Sequence, residues 1–275
     1  MPELPEVETV CRGLQKPLVG KRISAVQQNR PNLRIPFPAN MLKRLIGQTV
    51  NTLYRRAKYI IADLSSNESL IIHLGMSGRI LIHDDHPAPE KHDHMVIDTD
   101  QGARIIFNDP RRFGMVDLAP TATLAQHRFF SHLAPEPLSN SFHADYLFKK
   151  LRNKRTTIKS AVLDQCIIVG VGNIYAAESL FQSHIHPECL ANTLSQAEVE
   201  NLVVAIRDVL NKAIEAGGSS LRDYVQASGE LGYFQHKWAV YGKVGEPCHA
   251  KGCVSTIQKI QQSGRSTFYC PTCQN

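Results

Sequence analysis

Residues 248–273 read CHAKGCVSTIQKIQQSGRSTFYCPTC. Four residues separate Cys248 from Cys253, two separate Cys270 from Cys273, and sixteen lie between the pairs. Four thiolates in two close pairs suit a tetrahedral zinc ion with no open coordination position, a structural site. Gly252 stands beside the first pair and Pro271 inside the second, as tight knuckles require. The intervening TIQKIQQSGRSTFY predicts a β-hairpin turning at Ser263–Gly264, with Arg265 near its tip, where a cation can reach a phosphate. So short a module buries little apolar surface, and zinc binding would supply its folding energy. Four reduced thiols or two disulfides are the alternatives, and His249 is a competing ligand. The other cysteines, Cys11, Cys166 and Cys189, stand singly in periodic segments and read as buried, inert thiols.

Upstream of this module the pattern is helical. From about Phe142 to Gly217 apolar residues recur at three- and four-residue spacing. The clearest helix spans 195–216. Ser195 with Glu198 forms a capping box, Leu202, Ala205, Ile206, Val209, Leu210 and Ala213 form the buried stripe, and Gly217 and Gly218 stop it. Residues 217–235 carry four glycines and read as a loop.

Before Pro120 the signal is β. RISAV, TVNTLY, YIIADL, SLIIHL, RILI, HMVIDT, ARIIF and GMVDL are short β-rich runs separated by Gly, Asn, Asp and Pro, as in a sandwich or barrel. Residues 84–93 read as an exposed loop. A first helix follows Pro5, with Leu4, Val7, Val10, Cys11 and Leu14 on one face. The fold class is therefore α+β. The expected domains are a β-sandwich with an N-terminal helix (1–133), a helical domain (134–235) and a zinc-finger hairpin (236–275).

The 275 residues carry a net charge of +6, and its placement is uneven. Eleven Lys or Arg and no acid lie between Thr9 and Ala62, six more basic residues lie in 149–160, and five with one acid follow from Lys237. Three segregated runs are the footprint of a polyanion partner, and favour nucleic acid. No apolar run approaches the length of a membrane helix, and MPELPEVE is not a signal peptide. A cytoplasmic protein with no membrane partner is expected.

The N-terminus is itself a reagent. Initiator methionine is commonly removed before a small residue such as Pro2. An α-amino group titrates near pH 7.7–8.0, and a helix start disfavours its charged form further. Pro2 would then be a nucleophile able to form an iminium with a masked aldehyde. Glu3 and Glu6 lie beside it, one able to serve as general acid and the other to hold the network, although acids at a helix start are commonly dipole complements.

MPELPEVETV, LGMSGR (74–79), NDPRRFG (108–114), VGVGNIYAAESLF (169–181) and GRSTFYCPTCQ (264–274) resemble, in order, the motifs of the formamidopyrimidine-DNA glycosylases, bacterial base-excision repair enzymes. The resemblance spans nearly the whole chain. It implies removal of oxidised purines such as 8-oxoguanine and formamidopyrimidines from duplex DNA, then strand cleavage at the abasic site by β,δ-elimination. Pro2 would attack C1′ and form a Schiff base, Glu3 would assist sugar-ring opening, Glu6 would support the site, and Lys58 would contact phosphate near the lesion. Met76, Arg111 and Phe113 match the residues that fill the gap left by the flipped base. His73, Arg112, Lys159 and Asn173 match DNA-binding positions, Asn173 with helix capping as its plainer reading, and Arg265, the zinc-hairpin residue that would grip a phosphate, is counted with Pro2, Glu3, Glu6 and Lys58 in the catalytic set. The helical domain would be a helix–two-turns–helix domain, and 217–235 the lesion-recognition loop, with Ser220, Arg222 and Tyr241 as weaker candidates. One structural zinc, a monomer acting on damaged double-stranded DNA and nucleoid association through DNA are implied.

The four-residue spacing of the first cysteine pair departs from the family's usual two. Two rival readings remain. One is a glycosylase similar to endonuclease VIII acting on oxidised pyrimidines, against which Leu4, Met76 and Phe113 speak. The other is a non-catalytic zinc-module DNA-binding protein, against which Pro2, Glu3 and Lys58 speak.

Overall fold

The computed structural model describes residues 1–219 and 234–275. These form two compact units, one of Met1–Ser131 with Ile214–Gln235, the other of His132–Ala213 with His236–Asn275.

In the first unit every one of the eight β-rich runs is a strand. They are β1 (Ile23–Gln28), β2 (Val50–Arg56), β3 (Tyr59–Leu64), β4 (Glu68–His73), β5 (Arg79–His83), β6 (Asp93–Thr99), β7 (Arg104–Asn108) and β8 (Met115–Pro120). They pair antiparallel in two four-stranded sheets, ordered β1-β6-β7-β5 and β2-β3-β4-β8, so the choice between sandwich and barrel falls to the sandwich. Ile60, Ala62, Leu70 and Ile72 of one sheet share a core with Ile97, Ile105 and Phe107 of the other. Helix α1 (Leu4–Leu18) closes this core with Val7, Val10, Cys11, Leu14 and Leu18. Two polar ties fix α1 along β2. Arg55 Nε donates to Glu8 Oε2 at 2.9 Å, and Gln15 Nε2 donates to the Leu53 carbonyl at 2.8 Å. Sequence reading missed the short α2 (Met41–Leu45), whose five residues are too few to show a period.

The second unit holds α3 (Ala144–Leu151), α4 (Ile158–Leu163), α5 (Asn173–Gln182) and α6 (Gln196–Glu215), the last residues of α6 passing into the first unit. The expected capping box is present, with Ser195 N–H donating to Glu198 Oε2 at 2.7 Å and Glu198 N–H to Ser195 Oγ at 3.3 Å. The six stripe residues of α6 are buried, joined by Val199 and Val203. Arg207 on α6 donates to the carbonyls of Pro137, Ser139 and Phe142, which satisfies the proline-punctuated segment that precedes α3. Between α4 and α5 the chain makes two turns around the Gln165 side chain, which accepts the Gly170 N–H and donates to the carbonyls of Leu163 and Val171.

The C-terminal hairpin is β9 (Gln258–Gln262) with β10 (Arg265–Tyr269). Ser263 and Gly264 both take positive φ, 49° and 73°, the primed turn whose twist matches the strands it joins. The reading of the three single cysteines needs correction. Cys11 is buried, but Cys189 is half-buried and Cys166 is exposed, because Cys166 falls in the turn after α4 and not on a helix face.

Candidate active site and nucleic-acid interface

The N-terminal site begins with a helix cap. Glu3 is the N-cap of α1 and Glu6 its third residue, and each side chain accepts the other's backbone N–H. Glu3 N–H donates to Glu6 Oε2 at 2.9 Å, while Glu6 Oε1 accepts Ser219 N–H at 2.8 Å. One carboxylate thus holds both the start of α1 and the point where the chain leaves α6. Pro2, Glu3 and Glu6 are all buried. The first residues are therefore a fixed geometry and not a frayed terminus. Sequence reading took the acids as dipole complements or catalysts and missed their mutual cap, although E-x-x-E at a helix start is the capping-box spacing.

Lys58 sits in the two-residue turn between β2 and β3, which α1 packs against, and is buried. Ala57 before it takes φ 53°, and its carbonyl accepts Arg55 Nη1 at 2.9 Å. Next to this turn in the sheet, Tyr59 pairs with His73, their ring centroids 4.8 Å apart. Phe129 and Phe130 pack on the same Tyr59 ring. Burial first, then the charges of Lys58 and Arg34, pull the His73 pKa down to about 4. His73 is therefore neutral at physiological pH. Its Nδ1 accepts Gly75 N–H at 2.9 Å, which leaves Nε2 as the protonated, donating nitrogen.

Met76, Arg111, Arg112 and Phe113 lie on two loops pressed together. A Cβ on Gly75 would come within 2.3 Å of the Phe113 backbone, and Gly75 also takes φ 66°, so no other residue fits there. Asp109, fully buried, fastens the second loop. Its Oδ1 accepts Ser77 Oγ–H at 2.6 Å, its Oδ2 accepts Gly114 N–H at 2.7 Å, and Ser77 Oγ accepts Arg111 N–H at 3.2 Å. Phe113, whose plain reading is a core strand residue, is 43% exposed, with the Arg111 guanidinium carbon 5.0 Å from its ring centroid. Arg111 and Arg112 are exposed and Met76 half-buried. An exposed aromatic beside an arginine and a thioether, on loops with little freedom, can serve as a wedge and a hydrogen-bonding finger. Asp109 and Ser77 were missed from sequence; Asp before Pro in NDPRRFG was the signal available.

In the second unit Lys159, expected as a DNA contact, is buried and internally bonded. It is 1% exposed, and its Nζ donates to Asn173 Oδ1 at 2.7 Å, Thr267 Oγ1 at 2.6 Å and the Ser266 carbonyl at 3.2 Å. A lysine with three internal acceptors ties α4, α5 and the hairpin together, in place of the exposed surface cation that its basic run suggested. For Asn173 it is the helix-cap reading that is corrected. Gly172 is the N-cap of α5, and the Asn173 side chain accepts Lys159 and donates Nδ2–H to the Ser266 carbonyl at 2.9 Å. Arg265, at the head of β10 and exposed, lines a cleft with Lys159, Ser160, Asp164 and Gln262. Glu178 on α5, not foreseen from sequence, accepts the backbone N–H groups of Ala239, Val240 and Tyr241. Burial raises its pKa, against the lowering by those three donors. Ser220 and Arg222 lie outside the described residues. Tyr241 is half-buried against Trp238 and Phe268.

The four cysteine Sγ atoms lie within 4.8 Å of one another, with Cys248–Cys273 at 3.8 Å and Cys253–Cys270 at 3.6 Å. Zinc–sulfur bonds of about 2.3 Å in a tetrahedron give S···S edges of about 3.8 Å. The donor set therefore fits one zinc ion. The longer first knuckle is absorbed by residues 249–252, and His249 is exposed and outside the cluster.

Among the described residues no helix is long and apolar enough to cross a membrane. Residues 1–116 match the model of the formamidopyrimidine-DNA glycosylase N-terminal domain, 133–225 that of its H2TH domain, and 245–275 the zinc finger found in FPG and IleRS. The formamidopyrimidine-DNA glycosylases of Ruegeria pomeroyi and Roseobacter denitrificans are 56% and 55% identical, covering the whole of both chains. A Lactococcus lactis FPG variant in complex with Fapy-dG containing DNA superposes with a TM-score of 0.92 at 37% identity over all of both chains. The same species' Fpg with abasic site containing DNA gives 0.91 at 36%, over 99% of each. Its wild-type form with an oxidized pyrimidine containing DNA also gives 0.91 at 36%, over all of both chains. With its three family domains in order and its full length matched, the chain belongs to the formamidopyrimidine-DNA glycosylase family.

Proposed function

We propose that the protein removes oxidised purines from damaged duplex DNA in base-excision repair and then cleaves the abasic strand. Its family and the DNA complexes of its structural relatives support the substrate class. The observation that carries the chemistry is the reciprocal Glu3–Glu6 cap, which locks the residue next to Pro2 into one geometry. Once Met1 is removed, the Pro2 nitrogen attacks C1′ of the flipped nucleotide. The glycosidic C1′–N bond breaks and the base leaves with its electron pair. Glu3 takes up the proton that the alkylated Pro2 nitrogen must lose and delivers it to the sugar O4′ as the ring opens, and the freed nitrogen lone pair closes the iminium. That cation makes the C2′ proton acidic, and β- then δ-elimination expels the two flanking phosphates.

Around this reaction Glu6 holds the cap, and Lys58 and the neutral Nε2–H of His73 bind phosphate. Met76 and Phe113 fill the vacated stack, and Arg111 hydrogen-bonds the widowed base. Arg112, Arg265 and the start of α5 at Asn173 grip further phosphates, while Lys159 positions Asn173 and the hairpin. When bound, zinc supplies the hairpin's fold and no chemistry. Functionally the chain divides at 133/134 and 235/236 into catalytic, helix–two-turns–helix and zinc-finger parts. Oxidised pyrimidines are a second lesion class, favoured by the relative bound to such DNA.

The test is borohydride trapping on duplexes with 8-oxoguanine opposite cytosine. A covalent adduct with this substrate is expected. An adduct on oxidised-pyrimidine duplexes alone would reverse the order of the two lesion classes, and specific binding without any adduct would sink the enzymatic reading.

A further inference from the structure

The end of α3 carries a charged surface that the lesion chemistry does not use. Lys149, Lys150, Arg152 and Arg155 are exposed, and there is no acidic residue between Asp145 and Asp164. Among the described residues none of these four has a carboxylate at ion-pair distance, whereas their neighbour Lys154 pairs with Asp164 at 3.3 Å. The opposite side of α3 is spent on the core through Leu147 and Leu151. Two of the four cations are held against rings of the same helix. Lys150 Nζ lies 5.7 Å from the Tyr146 ring centroid, and the Arg152 guanidinium carbon lies 5.4 Å from that of Phe148. Such contacts restrain long side chains that would otherwise sample many rotamers. The surface also runs on from the cleft at the hairpin tip, since Asp164, the partner of Lys154, lines that cleft with Arg265.

We propose that Lys149, Lys150, Arg152 and Arg155 form an accessory phosphate-contact surface that binds duplex backbone away from the lesion, and so holds the protein on undamaged DNA. The inference rests on the DNA-repair reading but concerns affinity for any duplex and not excision. A polyanion suits this face better than a protein partner. Its aromatic rings are half-buried under the cations, and it offers no exposed apolar anchor of the kind that carries protein–protein affinity. Phosphate contacts of this kind carry no sequence information and are read out as salt dependence.

The test uses the full-length, zinc-loaded protein with Lys149, Lys150, Arg152 and Arg155 changed together to Gln. Binding to an undamaged 40-base-pair duplex is titrated across salt concentrations. Each lost phosphate contact lowers the slope of log K against log salt by about 0.9, so four contacts predict a fall of about 3.6. At least a tenfold weaker affinity is expected at about 0.1 M salt. Single-turnover excision on a short lesion duplex at saturating protein should stay unchanged, and the charge-keeping set Lys149→Arg with Lys150→Arg should leave the slope intact. An unchanged slope in the Gln variant overturns the proposal. So does loss of binding to a polyglutamate probe with the DNA slope intact, which would assign the face to an acidic protein. Failure of the wild-type protein to form a trapped adduct would refute the glycosylase reading and leave the slope measurement standing.

Discussion

The two places where this protein is equipped to handle DNA are held together by different physics. In the sandwich, α1 and the loops bearing Met76 and Phe113 rest on a core drawn from two sheets and a helix, and buried carboxylates set their detail. The hairpin has almost no core of its own. Cys248, Ile257 and Cys270 cluster with Ala177 and Val240, and the rest of its order comes from four thiolates, Lys159, Asn173 and Glu178. A site built on a core tolerates loss of one polar contact. A site built on a metal and a few buried polar ties does not.

Zinc removal should separate the two most sharply. Structural zinc contributes about 10–16 kcal/mol of apparent binding free energy in small fingers. Chelation, or Cys270→Ser, is expected to melt the hairpin and abolish tight duplex binding. The thermal transition of the sandwich should persist, and calorimetry showing both lost together would break the contrast. In the sandwich, Glu3→Gln should lower single-turnover excision about 1000-fold while lesion binding in a gel-shift assay survives; full excision would refute the role given to Glu3. Lys159→Met removes the donor shared by one buried and two part-buried acceptors and should cost about 1–3 kcal/mol in denaturant unfolding, with the salt slope for DNA unaltered. A slope reduced by about one would restore Lys159 as a phosphate contact.

The smallest effect concerns His73. Its folded-state pKa, about 4, lies below the unfolded value of 6.5. The stability from keeping it neutral is present above pH 6.5 and is lost as pH falls toward 4, by at most about 3 kcal/mol. His73→Asn should flatten unfolding free energy against pH in that window, and by removing the Nε2–H donor should weaken DNA binding by the same factor at pH 7 and pH 8.

What the sequence made legible follows from the same contrast. Periodic patterns are repeated over many residues, so all eight strands, the stripe of α6 and the turn at Ser263–Gly264 could be read directly. The cysteine spacing revealed the metal ligands despite the longer first knuckle, because the thiol chemistry restricts the choices. Burial of a polar residue leaves no such trace. Lys159 in KKLRNKRTTIKS looks like its neighbours, and only the fold shows that it faces Thr267 and Asn173 while Lys149 and Lys150 face water. Asp109 and Glu178 escaped notice for the same reason, as each is defined by backbone N–H groups distant in sequence or hidden in a loop. The reading of Pro2 as a nucleophile came from its α-amino chemistry and was sharpened by the resemblance, since an acid pair at a helix start has a commoner meaning.

The close approach at Gly75 bears on how such an enzyme can change. With 2.3 Å between a would-be Cβ and the Phe113 backbone, the two loops cannot drift apart or together by small substitutions at their contact. Variation at this contact is therefore channelled to the outward side chains, Met76 and Phe113, which can be exchanged without touching that seam. A library randomised at those two positions, with Gly75 held constant, explores the accessible variation; one that randomises Gly75 mostly samples proteins in which the two loops have moved.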